Sequence, residues 1–225
     1  MSEDFINTLW LTGKLATLST CILLVIGLPV SYLLAYTHFK IKPLVEALIC
    51  MPLVLPPTVL GYYLLIAFSP QNIWGSFLEK HFNIRLAFTF EGIIIASIIA
   101  GLPFMIQSLQ TGFSSLPASY REASYTLGKS KTTTFFKVLL PNIKPSLITG
   151  IALTFAHCIG EFGIVLMVGG NIPGETRIAS IAIYDQVQAL DYKTANQYSF
   201  ILFLTSFILL TLIYTINKSF KIKTI

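Results

Sequence analysis

The chain is short of charge. Only 11% of its 225 residues are Asp, Glu, Lys or Arg, against roughly a quarter in a soluble domain. With 54% of residues hydrophobic, that shortage excludes an ordinary water-soluble globule. Cysteine is scarce as well. Cys21, Cys50 and Cys158 all fall inside apolar runs, where a thiol behaves as a small hydrophobe, so neither a disulfide framework nor a metal site is read from them. A basic leader is missing too. Met1-Ser2-Glu3-Asp4 is acidic, the apolar run behind it is long, and no small-x-small cleavage site follows; the first run is therefore read as a span and not as a cleaved signal peptide.

What the chain does have is long hydrophobic runs. A bilayer core about 30 Å thick needs about 20 apolar residues per helix. Five segments meet that: Leu15–Tyr36, Leu44–Phe68, Gly92–Thr111, Ser146–Val168 and Gln197–Ile216. The expected fold is an all-α membrane protein of five transmembrane helices, with no soluble domain left over.

Five spans put the termini on opposite sides. Lys40 and Lys42, then Arg121, Lys129, Lys131, Lys137 and Lys144, then Lys218, Lys221 and Lys223 share one face in that arrangement. Lys14, Lys80, Arg85, Arg177 and Lys193 share the other with most of the acids. The positive-inside rule then places the N-terminus outside and the C-terminus and the 112–145 loop in the cytoplasm. The formal net charge of +5 marks orientation in this reading, with no nucleic-acid partner.

Within the second span, Pro52, Pro56 and Pro57 each remove a backbone donor, which predicts a bent helix with exposed backbone groups. Pro56, Pro57, Thr58 and Gly61 are candidates for lining a pathway; a kink that only serves packing is the plainer reading. The fourth span carries His157 and the stretch Gly160-Glu161-Phe162-Gly163. A charge at the centre of a span is unfavourable by about 2.5–3.5 kcal/mol, so Glu161 should face protein or water, or be protonated. His157 and Glu161 are spaced to share one helical face, which leaves open a proton relay, half of a metal site, or a structural or gate-adjacent pair. Gly160 and Gly163 would allow close approach of another helix. Beyond the span, Gly169 to Arg177 reads as an ordered external turn with Pro173, Gly174, Glu175 and Arg177 at its surface. Ile178–Leu190 reads as a short outer helix.

The cytoplasmic loop has helical patterning. Leu116, Tyr120, Ala123 and Leu127 recur on one face. Pro117 suits a first turn, and Gly128 suits the left-handed position that ends a helix. A second helical arm starts near Ser130 and stops at Pro141. Glu122 can close a capping box with Ser119, or dock on a partner as part of a helix in a groove. Ala123-Ser124-Tyr125-Thr126-Leu127-Gly128-Lys129-Ser130 loosely matches a nucleotide-binding loop. It lacks the first glycine and the preceding strand that such a loop needs to wrap phosphates, so no ATP binding is expected of this chain.

Glu122-Ala123, Gly128 and Leu140-Pro141 resemble the "EAA" loop of type I ABC importer permeases, with Ser124 where the third residue is usually Ala. Pro52 to Gly61, Gly160-Glu161-Phe162-Gly163 and Asn171 to Arg177 look like the molybdate branch of that family, with tungstate and sulfate/thiosulfate relatives close behind. The resemblance covers about residues 11–214. It implies a type I permease domain in the plasma (inner) membrane of a prokaryote. It also implies a pathway between two copies of the chain, and an external oxyanion-binding protein that delivers substrate. Separate cytoplasmic ABC ATPase subunits would use the ATP and dock on the loop around Arg121, Glu122, Ala123, Ser124, Gly128 and Pro141. The chain itself would be a transport subunit, not an enzyme, with no bound cofactor. Two other classes remain: a proton-coupled secondary transporter using His157 and Glu161, and an intramembrane enzyme, for which those two residues are too few.

Overall fold

The computed structural model describes residues 3–222; Met1, Ser2 and the expected inside charge Lys223 lie outside the described residues. The side chains of Lys218 and Lys221 do as well. The described chain is helical from end to end: α1 (Glu3–Tyr36), α2 (Lys42–Val54), α3 (Pro57–Phe68), α4 (Ile73–Phe82), α5 (Phe90–Ser114), α6 (Ala118–Thr126), α7 (Lys131–Thr134), α8 (Leu140–Asn142), α9 (Lys144–Gly160), α10 (Gly163–Gly169), α11 (Ala179–Gln188) and α12 (Tyr192–Ile222). A π-helical turn, Phe135–Leu139, joins α7 to α8.

Three helices are long and apolar enough to cross a bilayer: α1, α5 and α12 up to Thr215. Two further candidates are bent pairs, α2 with α3 and the Lys131–Asn142 arm with α9, which makes three to five spans among the described residues. The second expected span is broken between α2 and α3 by 112°. At about 1.5 Å per residue the two arms leave their ends only about 21 Å apart, short of the roughly 30 Å apolar core. The cause lies in the sequence: Pro56 and Pro57 supply no N–H, and Leu55 before them is extended, as a residue preceding proline tends to be. The fourth expected span is also interrupted. Its helix stops at Gly160, Glu161 is extended, and α10 restarts at Gly163.

Small residues set the contacts that hold the bundle. Gly27 of α1 meets Met105 of α5, where an added Cβ would lie 2.8 Å from the Met105 side chain, and Gly101 of α5 meets Leu23 in the same way at 2.7 Å. Ser31 donates to the Ile106 carbonyl at 3.1 Å, and Tyr36 to the Phe113 carbonyl at 2.8 Å. These pairings advance together, so α1 and α5 run parallel. Gly112 opposite Ser146, Gly150 opposite Ser108, and Gly101 near Thr154 and Cys158 show α9 running antiparallel to α5. Phe5 against Tyr198 at 4.2 Å, and Asn217 bonded to Thr149 at 2.8 Å, align α12 with α1. The N-terminus of α1 therefore lies at the opposite end of the bundle from α6.

The expected outer helix is present as α11, but it is not a mere surface element. Ala179, Ile181 and Ala182 are buried, and the Ala179 N–H donates to Thr12 Oγ1 at 2.8 Å. By contrast α12 leaves Phe200, Phe203, Leu204, Phe207, Ile208 and Leu212 exposed. A large apolar face of that kind belongs against lipid or another chain.

Candidate functional site

The elbow after α5 is built from local chemistry. Gly128 has φ +69°, its N–H donates to the Tyr125 carbonyl at 2.9 Å, and the Lys129 N–H donates to Ser124 at 3.1 Å. That pair of bonds around a left-handed glycine ends a helix in the Schellman manner. The second arm starts at Ser130, whose Oγ accepts the Thr133 N–H at 3.2 Å, a cap its position predicts. Ser124 and Thr134, both buried, share a 2.8 Å hydrogen bond that ties the arms together. The Ala123–Ser130 stretch is thus the end of one helix, a turn and the cap of the next.

One expectation fails here. Pro117, not Ser119, is the N-cap of α6, and no side chain caps it. Ser119 already lies inside the helix, so it forms no capping box with Glu122, whose side chain is left exposed. Tyr120, Ala123 and Leu127 do share a face, and all three are exposed. With Val138 and the Lys129 and Lys137 stems they line a groove of about 530 Å³ between the arms. Pro141 is exposed on α8.

Arg121 turns the other way. Its guanidinium lies 4.1 Å from the centre of the Tyr36 ring, and Tyr36 in turn anchors to the last turn of α5. Tyr32, Phe113 and Phe135 complete an aromatic cluster with centroid separations of 5.3 to 5.8 Å. Spacing carries no signal for this stack, which joins residues far apart in sequence. A desolvated cation–π contact is worth about 2 kcal/mol, so Arg121→Ala is expected to loosen the elbow from α1 while Arg121→Lys keeps part of the contact. Protease accessibility of the 115–145 loop in membranes checks this; equal protection in wild type and the alanine variant would refute it.

The second candidate region lies at the two helix breaks. Pro52, Pro57, Thr58, His157, Gly160 and Glu161 border one cleft of about 370 Å³. Gly163 makes the junction possible, since an added Cβ would lie 2.9 Å from the Pro57 Cβ. Gly61 does the same one turn on, 2.8 Å from the Met167 Cβ and 3.0 Å from the Ile164 Cα. Gly160 has no atom within 4 Å of such a Cβ, so of the two expected close approaches only that of Gly163 occurs. Pro56 is the N-cap of α3.

Glu161 is 5% exposed, and neither carboxylate oxygen has a hydrogen-bond partner among the described residues. Ser97 of α5 stands alongside. The expected shared helical face with His157 does not exist, because the helix ends one residue before Glu161. His157 stacks instead on Phe104 at 4.4 Å. The Ser180 hydroxyl secures the break by donating to the Glu161 carbonyl at 2.6 Å. No group of three or more metal-ligating side chains occurs among the described residues.

At the far end, Gly170 (φ +67°) and Gly174 (φ +78°) turn the chain. Arg177 binds this turn to its surroundings: Nε donates to Asn171 at 2.6 Å, Nη2 lies 3.6 Å from Asp185, and Nη1 lies 3.8 Å from Asp4 of α1. Pro173, Gly174 and Glu175 are exposed.

Sequence reasoning missed a polar stripe. Gln107, Gln110, Thr111 and Ser114 follow one another on one face of α5 at helical spacing, opposite buried Met105, Ile106, Leu109 and Phe113. Polar residues three and four apart at the end of an apolar run were the available signal.

Comparison with known proteins agrees with this architecture. Residues 27–221 match the family described as binding-protein-dependent transport system inner membrane component. The molybdenum transport system permease protein ModB of Azotobacter vinelandii is 40% identical over 98% of this chain and 97% of its own. The sulfate transport system permease protein CysT of Salmonella typhimurium is 35% identical over 87% of this chain and 70% of its own. Among solved structures, an inward-facing MetNI methionine ABC transporter aligns at TM-score 0.75 and 19% identity over 97% of this chain and 99% of that one. A bacterial ABC transporter that imports alginate aligns at 0.80 and 15% over 97% and 80%. The helical bundle, its elbow and these similarities together make the chain a member of the binding-protein-dependent inner membrane component family, the membrane permease subunits of ABC importers.

Proposed function

We propose that this chain is the permease subunit of an ATP-driven oxyanion importer, with molybdate as the substrate. Two copies form the pathway, cytoplasmic ATPases dock on the two elbows, and an external binding protein delivers the anion. One observation carries the reading: Tyr120, Ala123 and Leu127 face outward beside exposed Glu122, on an elbow stiffened by the Gly128 turn and the Ser124–Thr134 bond. An apolar helix face beside an exposed charge suits helix-in-groove docking.

The basic residues at the elbow end of the bundle support a cytoplasmic elbow and C-terminus, with the N-terminus outside. An odd number of crossings, such as three or five, and residence in a prokaryotic inner membrane fit that orientation. ATPase closure would push the elbows together and, through the α5–α9 junction, open the pathway outward; hydrolysis would reset it. ATP would act in the partner chain. Full-length similarity to a molybdenum permease favours molybdate, and similarity to sulfate permeases keeps sulfate as the second reading. A proton-coupled carrier using His157 and Glu161 is the reading from another class; the two residues border one cleft, with the His157 ring against Phe104.

Reconstitution with the cognate ATPase and binding protein tests this. Uptake of molybdate should require ATP and both partners, and excess tungstate should compete better than sulfate. Uptake that persists without the ATPase would sink the importer reading, and stronger competition by sulfate would move the substrate.

A further inference from the structure

Two clefts of about 560 and 640 Å³ flank the elbow-end half of α5 and share Gln107 and Thr111. One lies towards α9 and α12 and is bordered by Ser146, Thr149 and Asn217; the other lies towards α2 and is bordered by Glu46, Cys50 and Ser114. An outward-facing row of amides and hydroxyls on an apolar helix is unfavourable against lipid. This row therefore faces water or protein.

The row consists of neutral donors. The hydroxyls of Thr111, Ser114 and Ser146 have no hydrogen-bond partner among the described residues and are free to donate. Gln107 uses one N–H on Cys50 at 2.8 Å and keeps the other. The one acid bordering either cleft, Glu46, is already engaged: Gln110 Nε2 donates to it at 2.7 Å, and Lys42 lies 3.9 Å away. Among the described residues, no cationic side chain borders either cleft.

We infer that the Gln107–Thr111–Ser114 face of α5, joined by Ser146 of α9, is the inner stretch of the anion path. This rests on the importer reading above and adds the residues that meet the substrate. A tetrahedral dianion takes hydrogen bonds from hydroxyls and amides on all its oxygens. Without a fixed cation such contacts are weak enough to release the ion, as conduction requires. A cation path would instead present carboxylates and carbonyls. Glu46 stands on the wall of the α2-side cleft, where Gln110 fixes its carboxylate and Lys42 at 3.9 Å offsets part of its charge.

The charge-sign response of Gln107 is the test, measured as molybdate uptake by the complete transporter in proteoliposomes. Gln107→Glu should lower uptake about tenfold or more by repelling the dianion, and Gln107→Lys should lower it much less. Thr111→Val should cost severalfold, with Thr111→Ser restoring uptake. Co-purification of the ATPase with each variant, measured alongside, separates loss of the path from loss of assembly. Equal losses for both charges, or no loss with Thr111→Val, in variants that retain the ATPase would overturn the path. Failure of the wild-type complex to couple ATP to any oxyanion would instead defeat the importer reading.

Discussion

Gly128→Pro should abolish uptake while the chain still inserts and assembles. At φ +69° the glycine occupies the left-handed region, and proline is locked near −65°. Proline also removes the N–H that bonds to Tyr125 and would push Leu127 before it, now at φ −78° and ψ 11°, towards extended backbone. These losses together exceed about 3 kcal/mol, and all of them fall on the angle between the two arms. Gly128→Asn should be tolerated, since asparagine also ends helices in this conformation. Glu122→Lys offers an independent route to the same loss. Its side chain is exposed and makes no hydrogen bond or ion pair among the described residues, while its carbonyl accepts the Thr126 hydroxyl at 2.9 Å. A reversal there leaves this protein intact and disturbs only what docks on it. Uptake, membrane insertion and co-purification of the ATPase should be measured together. Normal uptake in both Gly128→Pro and Glu122→Lys would remove the elbow from the mechanism.

A second large effect is expected at the junction of the broken helices. Gly61→Val would place a branched side chain against the Ile164 backbone, where 3.0 Å is available. Backbone cannot rotate away as a side chain can, so α3 must shift off α10. Overpacking of this kind costs about 1–3 kcal/mol, enough to change a coupled equilibrium by about 5- to 150-fold. Gly163→Val should act alike through Pro57. Gly160→Ala is the control: it meets nothing within 4 Å and favours the helix by up to about 1 kcal/mol. Uptake normalised to extracted protein should fall at least about fivefold for the valine variants and remain near wild type for Gly160→Ala. If Gly61→Val transports normally, the α3–α10 contact is not part of the moving machinery.

The elbow was legible because its parts are local. A capping serine, a helix-ending glycine and a face repeating every three to four residues each act within a few residues, so their positions in the sequence carry the geometry. The capping box at Ser119 does not form because a helix start is set by competing residues, and Pro117 two residues earlier takes the position. The Glu161 region failed for a related reason. Helical spacing was projected across a break, although the flanking glycines at 160 and 163 were visible.

Hydropathy, the placement of basic residues and the helix-ending signals were determined by the sequence alone, because bilayer thickness, orientation and helix capping depend on composition and short-range order. Only the tertiary structure decided that Arg121 stacks on Tyr36, that Gly61 and Gly163 are contact points while Gly160 is not, and that the polar face of α5 opens into clefts. Those facts join residues 34 to more than 100 positions apart in the chain. No local preference encodes which side chain will meet which; the packing of whole helices selects the partner.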